Sequence, residues 1–274
     1  MNVSFNQSEG KTQKLLFDTV AFLADAFGVL EQQIDSPVLV TNGSYQFWRY
    51  TTPSLEAAII LKLARIVSGL QSTALLFQHG MFQEVGALGR MLDEYGDDIV
   101  FLGQALVTGD VTPLHTEYLI SFFQEEFEAP DDPLGSEQKR SMVSRKKIHA
   151  ALTRTPGFAL NASDGQNLSR TLSQAMSGYV HAAASHVLDM YTGFPPRFHL
   201  TGMLGTPIQE AVQRQVFTQF HRGICIIGYA AIALRNQALA TTVIEFRNGF
   251  EEKIGMTHWP DPNSHIASLK KPKR

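Results

Sequence analysis

The stretch Phe82–Leu106 reads FQEVGALGRMLDEYGDDIVFLGQAL, and its periodicity decides the fold class. Phe82, Val85, Gly89, Leu92, Gly96, Ile99, Gly103 and Leu106 recur at alternating spacings of three and four, which gathers them on one face of an α-helix. Three of these positions are glycine, set seven residues apart. A glycine inside a helix costs about 1 kcal/mol relative to alanine, so an offsetting interaction is expected. Close approach of a second helix along this face is the simplest one.

The same periodicity continues on both sides. Upstream, Thr52-Pro53 reads as a helix start, because a threonine hydroxyl can cap free amides and proline loses nothing at the first helical position. The stripe that follows is Ile59, Leu63, Ile66, Leu70 and Phe77, and His79-Gly80 ends it. Earlier still, Leu16, Val20, Leu23, Phe27, Leu30 and Ile34 form another stripe. Between these two helices, Val38–Val40 and Tyr45–Tyr50 flank Thr41-Asn42-Gly43-Ser44, where Asn-Gly predicts a short β-hairpin.

Downstream, Thr112-Pro113 starts a helix that carries Tyr118, Leu119, Phe122, Phe123 and Phe127. The run Pro130-Asp131-Asp132-Pro133 stops it and is the best candidate for a boundary. Residues 137–153 read as a basic, weakly amphipathic helix with a solvated face, and residues 155–157 and 161–165 as loop. A small-residue helix is expected from Leu168 to Tyr191, ended by Gly193 and Pro195-Pro196. Thr206-Pro207-Ile208-Gln209 reads as a capping box. Its helix is expected to reach about Asn236, with Gln237–Lys253 continuing it.

The expected architecture is therefore all-α: one helical bundle over residues 1–255 with a short β-hairpin near the N-terminus, then a loose tail over 256–274. Composition narrows the function classes. The net charge of −3 gives no electrostatic case for nucleic acid, and the basic tail of Lys270, Lys271, Lys273 and Arg274 reads as a solvated end. The single cysteine, Cys225, excludes an internal disulfide and a multi-thiolate zinc site. There is no basic-then-apolar leader and no uninterrupted run of the ~20 apolar residues that a membrane span needs, so a soluble, cytoplasmic protein is expected.

Phosphate loops, dinucleotide-binding glycine motifs, nucleophile elbows and zinc-helix motifs are absent from the sequence. Neither a metal site nor a cofactor is assigned. Helical projection does place Arg90, Glu94 and Asp97 in one polar strip, and Arg170, Gln174, Ser177 and His181 in another. If the two strips face one another, they form a polar pocket suited to acid–base work or ligand capture. The plain alternative is an ordinary exposed (i, i+4) ion pair between Arg90 and Glu94, with a structural His181. His221 and Cys225, one helical turn apart, are a conceivable thiol–imidazole pair, although a small buried cysteine is the commoner case.

The elements Gly80-Met81-Phe82-Gln83-Glu84 and Arg90-Met91-Leu92-Asp93-Glu94, with Ser177 to His181 later, resemble uncharacterised bacterial helical families distantly similar to HEPN domains. The resemblance spans roughly residues 55–190 and implies a helical fold. HEPN ribonucleases carry an arginine followed by a histidine after four to six intervening residues. Here three residues separate Arg145 from His149, and ten separate Arg170 from His181. Three functions stay open: association with an unknown protein partner or with itself, a ligand-binding protein or enzyme using the Arg90–His181 pocket, and a degenerate HEPN-like nucleic-acid binder. The first is favoured.

Overall fold

Helix α1 (Asn2–Glu31) leads into a hairpin of β1 (Val38–Asn42) and β2 (Tyr45–Arg49). Helices α2 (Leu55–Gln78), α3 (Phe82–Thr108), α4 (Pro113–Phe123) and α5 (Arg145–Leu152) follow. Next come a short α6 (Ala184–Leu188) and a two-residue hairpin of β3 (Tyr191–Thr192) and β4 (Arg197–Phe198). Then α7 (Gln209–Ala233) and α8 (Gln237–Ile254) close the bundle. This computed structural model describes residues 2–127, 131–136, 142–152 and 176–255. The chain is an all-α bundle with a short antiparallel hairpin near its N-terminus, as the periodicity predicts. The expected tail over 256–274 lies outside the described residues.

One hydrophobic cluster runs from Leu16 of α1 to Phe250 of α8, with Leu23, Ile59, Leu70, Ile99, Phe220 and Ile227 fully buried. Each such side chain contributes roughly 1.5–3 kcal/mol on burial, so the packed stripes dominate stability. Phe22 of α1 stacks on Phe246 of α8 at 3.8 Å between ring centroids, tying the first helix to the last.

The glycine face of α3 is filled by α7. The place a side chain would take at Gly89 is occupied by Gln219 and at Gly103 by Tyr229 and Ala233, while Ile226 lies in ordinary contact with Gly96. On the opposite side of α7, Gly223 lies under Leu70 of α2. Helix α7 is thus wedged between α2 and α3. By length and composition alone, α2 and α7 could each cross a membrane, yet half or more of the most apolar stretch of each is buried against neighbours.

Several boundaries differ from the sequence reading. The cap of α2 is Ser54, whose hydroxyl accepts from the Ala57 amide at 3.0 Å, so Thr52-Pro53 stays outside the helix. The hairpin turn is Gly43-Ser44, with Gly43 at φ 61°, because Asn42 pairs directly with Tyr45. Thr112 does cap α4, reciprocally with His115. Thr206 caps nothing: its hydroxyl donates to the Met203 carbonyl, while Gln209 accepts from the Gly205 amide at 2.6 Å. The expected helix from Leu168 to Tyr191 is helical at 176–180 and then turns at Ala182, at φ 49°, before α6 and β3. Its first part, like residues 155–165 and 137–141, lies outside the described residues. Helices α7 and α8 are separate because Arg235 adopts φ 60° and Asn236 caps the new helix by accepting from the Leu239 amide at 3.0 Å.

The α2–α3 corner is closed by the segment before α7. His79 ends α2, Gly80 turns at φ 71°, and the Gly80 carbonyl accepts from the Met203 amide at 2.8 Å. A methyl group at Gly80 would stand 2.6 Å from that same amide nitrogen. Gly109, which ends α3 at φ 75°, has open space around it. Gly109→Ala should therefore cost about 1 kcal/mol in left-handed strain alone. Gly80→Ala should cost roughly 2–4 kcal/mol, as strain and a backbone collision combine. Chemical denaturation of the two variants checks the order, and equal losses would show that the corner is not tightly closed.

Candidate functional site

The polar centre of the bundle is Asp98 of α3, which is only 4% exposed. A lone buried carboxylate would be prohibitively costly, but three donors converge on this one. Tyr118 of α4 donates at 2.9 Å, Lys62 of α2 pairs at 2.9 Å, and Arg145 of α5 pairs with the other oxygen. Lys62 also sits over the rings of Tyr95 and Phe122, at 4.8 and 4.9 Å. Arg145 reaches onward to the Asp97 carboxylate at 3.1 Å and the Glu94 carbonyl at 3.2 Å. Burial opposes the charge on Arg145, and the carboxylates of Asp98 and Asp97 outweigh it, leaving the guanidinium above its ordinary pKa. One turn along α5, His149 Nε2 lies 2.9 Å from Asp97 Oδ2.

The basic helix is therefore not uniformly solvated. Ile148 and Leu152 are buried, and Arg145 and His149 share the inward side with them. Lys146 and Lys147 are exposed, and Lys147 pairs with Glu117 at 3.0 Å.

Next to this network lies a cavity of about 530 Å³ among α2, α3, α5, α7 and α8. Arg90, Asp93, Gly96 and Asp97 of α3 line it, as do His149 of α5, Gln219, His221, Arg222 and Cys225 of α7, and Arg247 and Glu251 of α8. Its apolar lining comes from Ile66, Leu70, Leu92, Val100 and Ile226. Arg222 is bound to Asp93 across the α3–α7 interface. Burial lifts the Asp93 carboxyl above its usual range despite the opposing Arg222 charge. His221 Nε2 faces Glu251 Oε1 at 2.6 Å, and Arg247 pairs with the same oxygen at 3.4 Å. Cys225 Sγ is 3.8 Å from His221 Nδ1, and burial raises its thiol pKa, with Arg247 opposing. Gln219 is 6% exposed, and both its amide oxygen and its amide nitrogen lack any hydrogen-bond partner.

Of the residues read from the sequence, Arg90 and Asp97 line this cavity. Arg90 holds Glu94 at 2.6 Å, the expected (i, i+4) pair, half-buried on both sides. Ser177 is half-buried and His181 exposed in the turn after residue 180, and neither lines the cavity. Arg170 and Gln174 lie outside the described residues. The imidazoles beside the Arg90–Asp97 strip are instead His149 and His221. Tyr179 packs its ring on Gly86 and meets His186 edge-on at 4.4 Å. His79 ends α2 with its Nδ1 2.8 Å from the Leu75 carbonyl.

The sequence alone does not mark His149, Gln219, Arg222, Arg247 and Glu251 as one site. Three (i, i+4) polar pairs did carry a signal: Arg145 with His149, His221 with Cys225, and Arg247 with Glu251. Spacing alone does not say that His149, His221, Cys225, Arg247 and Glu251 face one space. Among the described residues, no group of three or more His, Cys, Asp or Glu side chains is placed to hold a metal ion. The set can hydrogen-bond a small polar molecule and pass protons through two carboxylate-backed imidazoles. No family model, curated protein or solved structure matches the chain.

Two aspartates on α3 should respond oppositely to loss of charge. Asp98→Asn leaves Arg145 and Lys62 without their buried counter-charge and should cost about 3–5 kcal/mol. For Asp93, the folded pKa lies above the unfolded one, so its ionised form lowers stability at neutral pH. That penalty fades as pH falls through the folded value towards the unfolded one. Asp93→Asn should therefore be stabilising at neutral pH and lose its advantage in acid. Denaturation midpoints from neutral to acidic pH check both, and a destabilised Asp93→Asn at neutral pH would contradict the assignment.

Proposed function

We propose that this protein binds a small polar molecule, one with an apolar portion, in the cavity among α3, α5, α7 and α8. The observation that carries the reading is Gln219, a buried amide beside a cavity with neither end paired. Buried polar groups in folded proteins are nearly always paired, so an unpaired amide on a residue that lines a cavity supports a ligand site there. The size also fits, because ligand sites usually fall between about 300 and 1,000 Å³. The charges narrow the ligand further. Arg90, Arg222 and Arg247 on the lining are matched by Asp93, Asp97 and Glu251. A balanced set of this kind suits a zwitterion or an uncharged polar molecule better than a polyanion.

A fragment screen read by protein NMR tests this. Polar fragments should shift resonances at Gln219, Arg222 and His149. Gly96→Leu, which fills the cavity from α3, and Arg222→Ala, which removes one wall charge, should each weaken binding by about tenfold or more. Fragments that bind equally well to both folded variants, or that bind elsewhere, would remove the reading.

A second reading, self-association, is favoured by one observation. Leu39 and Trp48 are directly paired across the N-terminal hairpin and are 50% and 63% exposed. On this reading the pair is the contact between two copies. Sedimentation should then show a concentration-dependent dimer in the wild type that Trp48→Ser abolishes, and a monomer at all concentrations counts against it.

A further inference from the structure

The geometry points to Cys225 as a nucleophile of the cavity, with His221 as its base and Glu251 orienting that imidazole. Its target is a carbonyl carbon, an ester or thioester, carried by the ligand. The inference rests on the cavity being a ligand site.

A structural buried cysteine sits among apolar groups. Cys225, the only cysteine in the chain, lies 3.8 Å from His221 Nδ1 and 4.0 Å from Nε2, and that Nε2 faces the Glu251 carboxylate at 2.6 Å. Helix α7 sets the thiol and imidazole one turn apart, and α8 brings Glu251 up behind the ring. Thiol, imidazole and carboxylate all line the same cavity. Gln219, earlier on the same helix, also lines that cavity, and its buried amide has no hydrogen-bond partner. Because burial keeps the thiol protonated, nucleophilic attack here requires a base at hand.

The step balances with these groups alone. As Sγ bonds to the carbonyl carbon, the Sγ proton passes to His221 Nδ1 and the carbonyl π pair moves onto oxygen. Collapse of that adduct expels the alkoxide or thiolate, which takes the proton back from His221. The acyl group remains on Cys225 until water, deprotonated by the same imidazole, releases it as a carboxylic acid and restores the thiol.

The single cysteine makes the test direct, because any thiol adduct reports Cys225. Intact-protein mass spectrometry would follow alkylation by iodoacetamide, with the chain unfolded in urea as the ordinary-thiol reference. The folded protein should react at least about tenfold faster than the unfolded chain. His221→Gln should remove that advantage, and Glu251→Gln should reduce it, with circular dichroism confirming that both variants are folded. With p-nitrophenyl acetate, the wild type should gain one acetyl group that Cys225→Ser does not acquire. A folded wild type that reacts no faster than the unfolded chain overturns the inference without needing any variant. An unchanged rate in folded His221→Gln overturns it as well. An inert Cys225 in a protein whose cavity still binds fragments ends this inference alone and leaves the ligand reading standing.

Discussion

The structure depends on the absence of side chains along one face of α3. Gln219 and Tyr229 of α7 occupy the space that side chains at Gly89 and Gly103 would fill, and Ile226 packs against Gly96. This lets the two helices approach closely at Gly89 and Gly103. The gain is dispersion and apolar burial spread over many contacts, which offsets the backbone entropy that each helical glycine costs. The approach also fixes the rotation of both helices. With the glycine face turned to α7, Asp98 points to α2 and α4, while Arg90, Asp93 and Asp97 border the cavity.

Charge is handled in two ways around α3. Asp98 is buried and shared among three donors, a cluster that welds α2, α4 and α5 to the central helix. Some charges at the cavity, such as Arg222 with Asp93 and Arg90 with Glu94, form simple pairs that remain partly open to solvent. The first kind of pairing stabilises a unique arrangement. The second leaves groups that can exchange a protein partner for another polar molecule at little cost, because exposed pairs contribute little to stability.

The helices were legible in the sequence because a core stripe is a local, periodic signal. Ile59, Leu63, Ile66 and Leu70 predict their own burial without reference to any distant residue. Ends were less legible, since whether Ser54 or Thr52 caps a helix turns on the φ and ψ of one residue. Nothing in the small-residue run announced that Ala182 would adopt a left-handed conformation and break a helix. The site was half legible for a related reason. Arg90, Glu94 and Asp97 share one helix, so projection aligned them. Their real neighbours, His149, Arg222 and Glu251, arrive from three other helices, and the choice between those and His181 is made by packing. Arg145 was hidden differently: it belongs to a basic run whose other lysines face water, and only the buried Asp98 sets it apart.

The corner at Gly80 also bears on how the chain folds. Helices α2 and α3 follow one another through a short turn, so their pairing closes a small loop and can form early. Helix α7 must return from the far half of the chain to fill the glycine face, and its arrival is fastened where the Met203 amide meets the Gly80 carbonyl. Until then, α2 and α3 carry an open apolar seam. The docking of α7 is thus a late, non-local event, and the half-assembled bundle that precedes it is the species most exposed to aggregation.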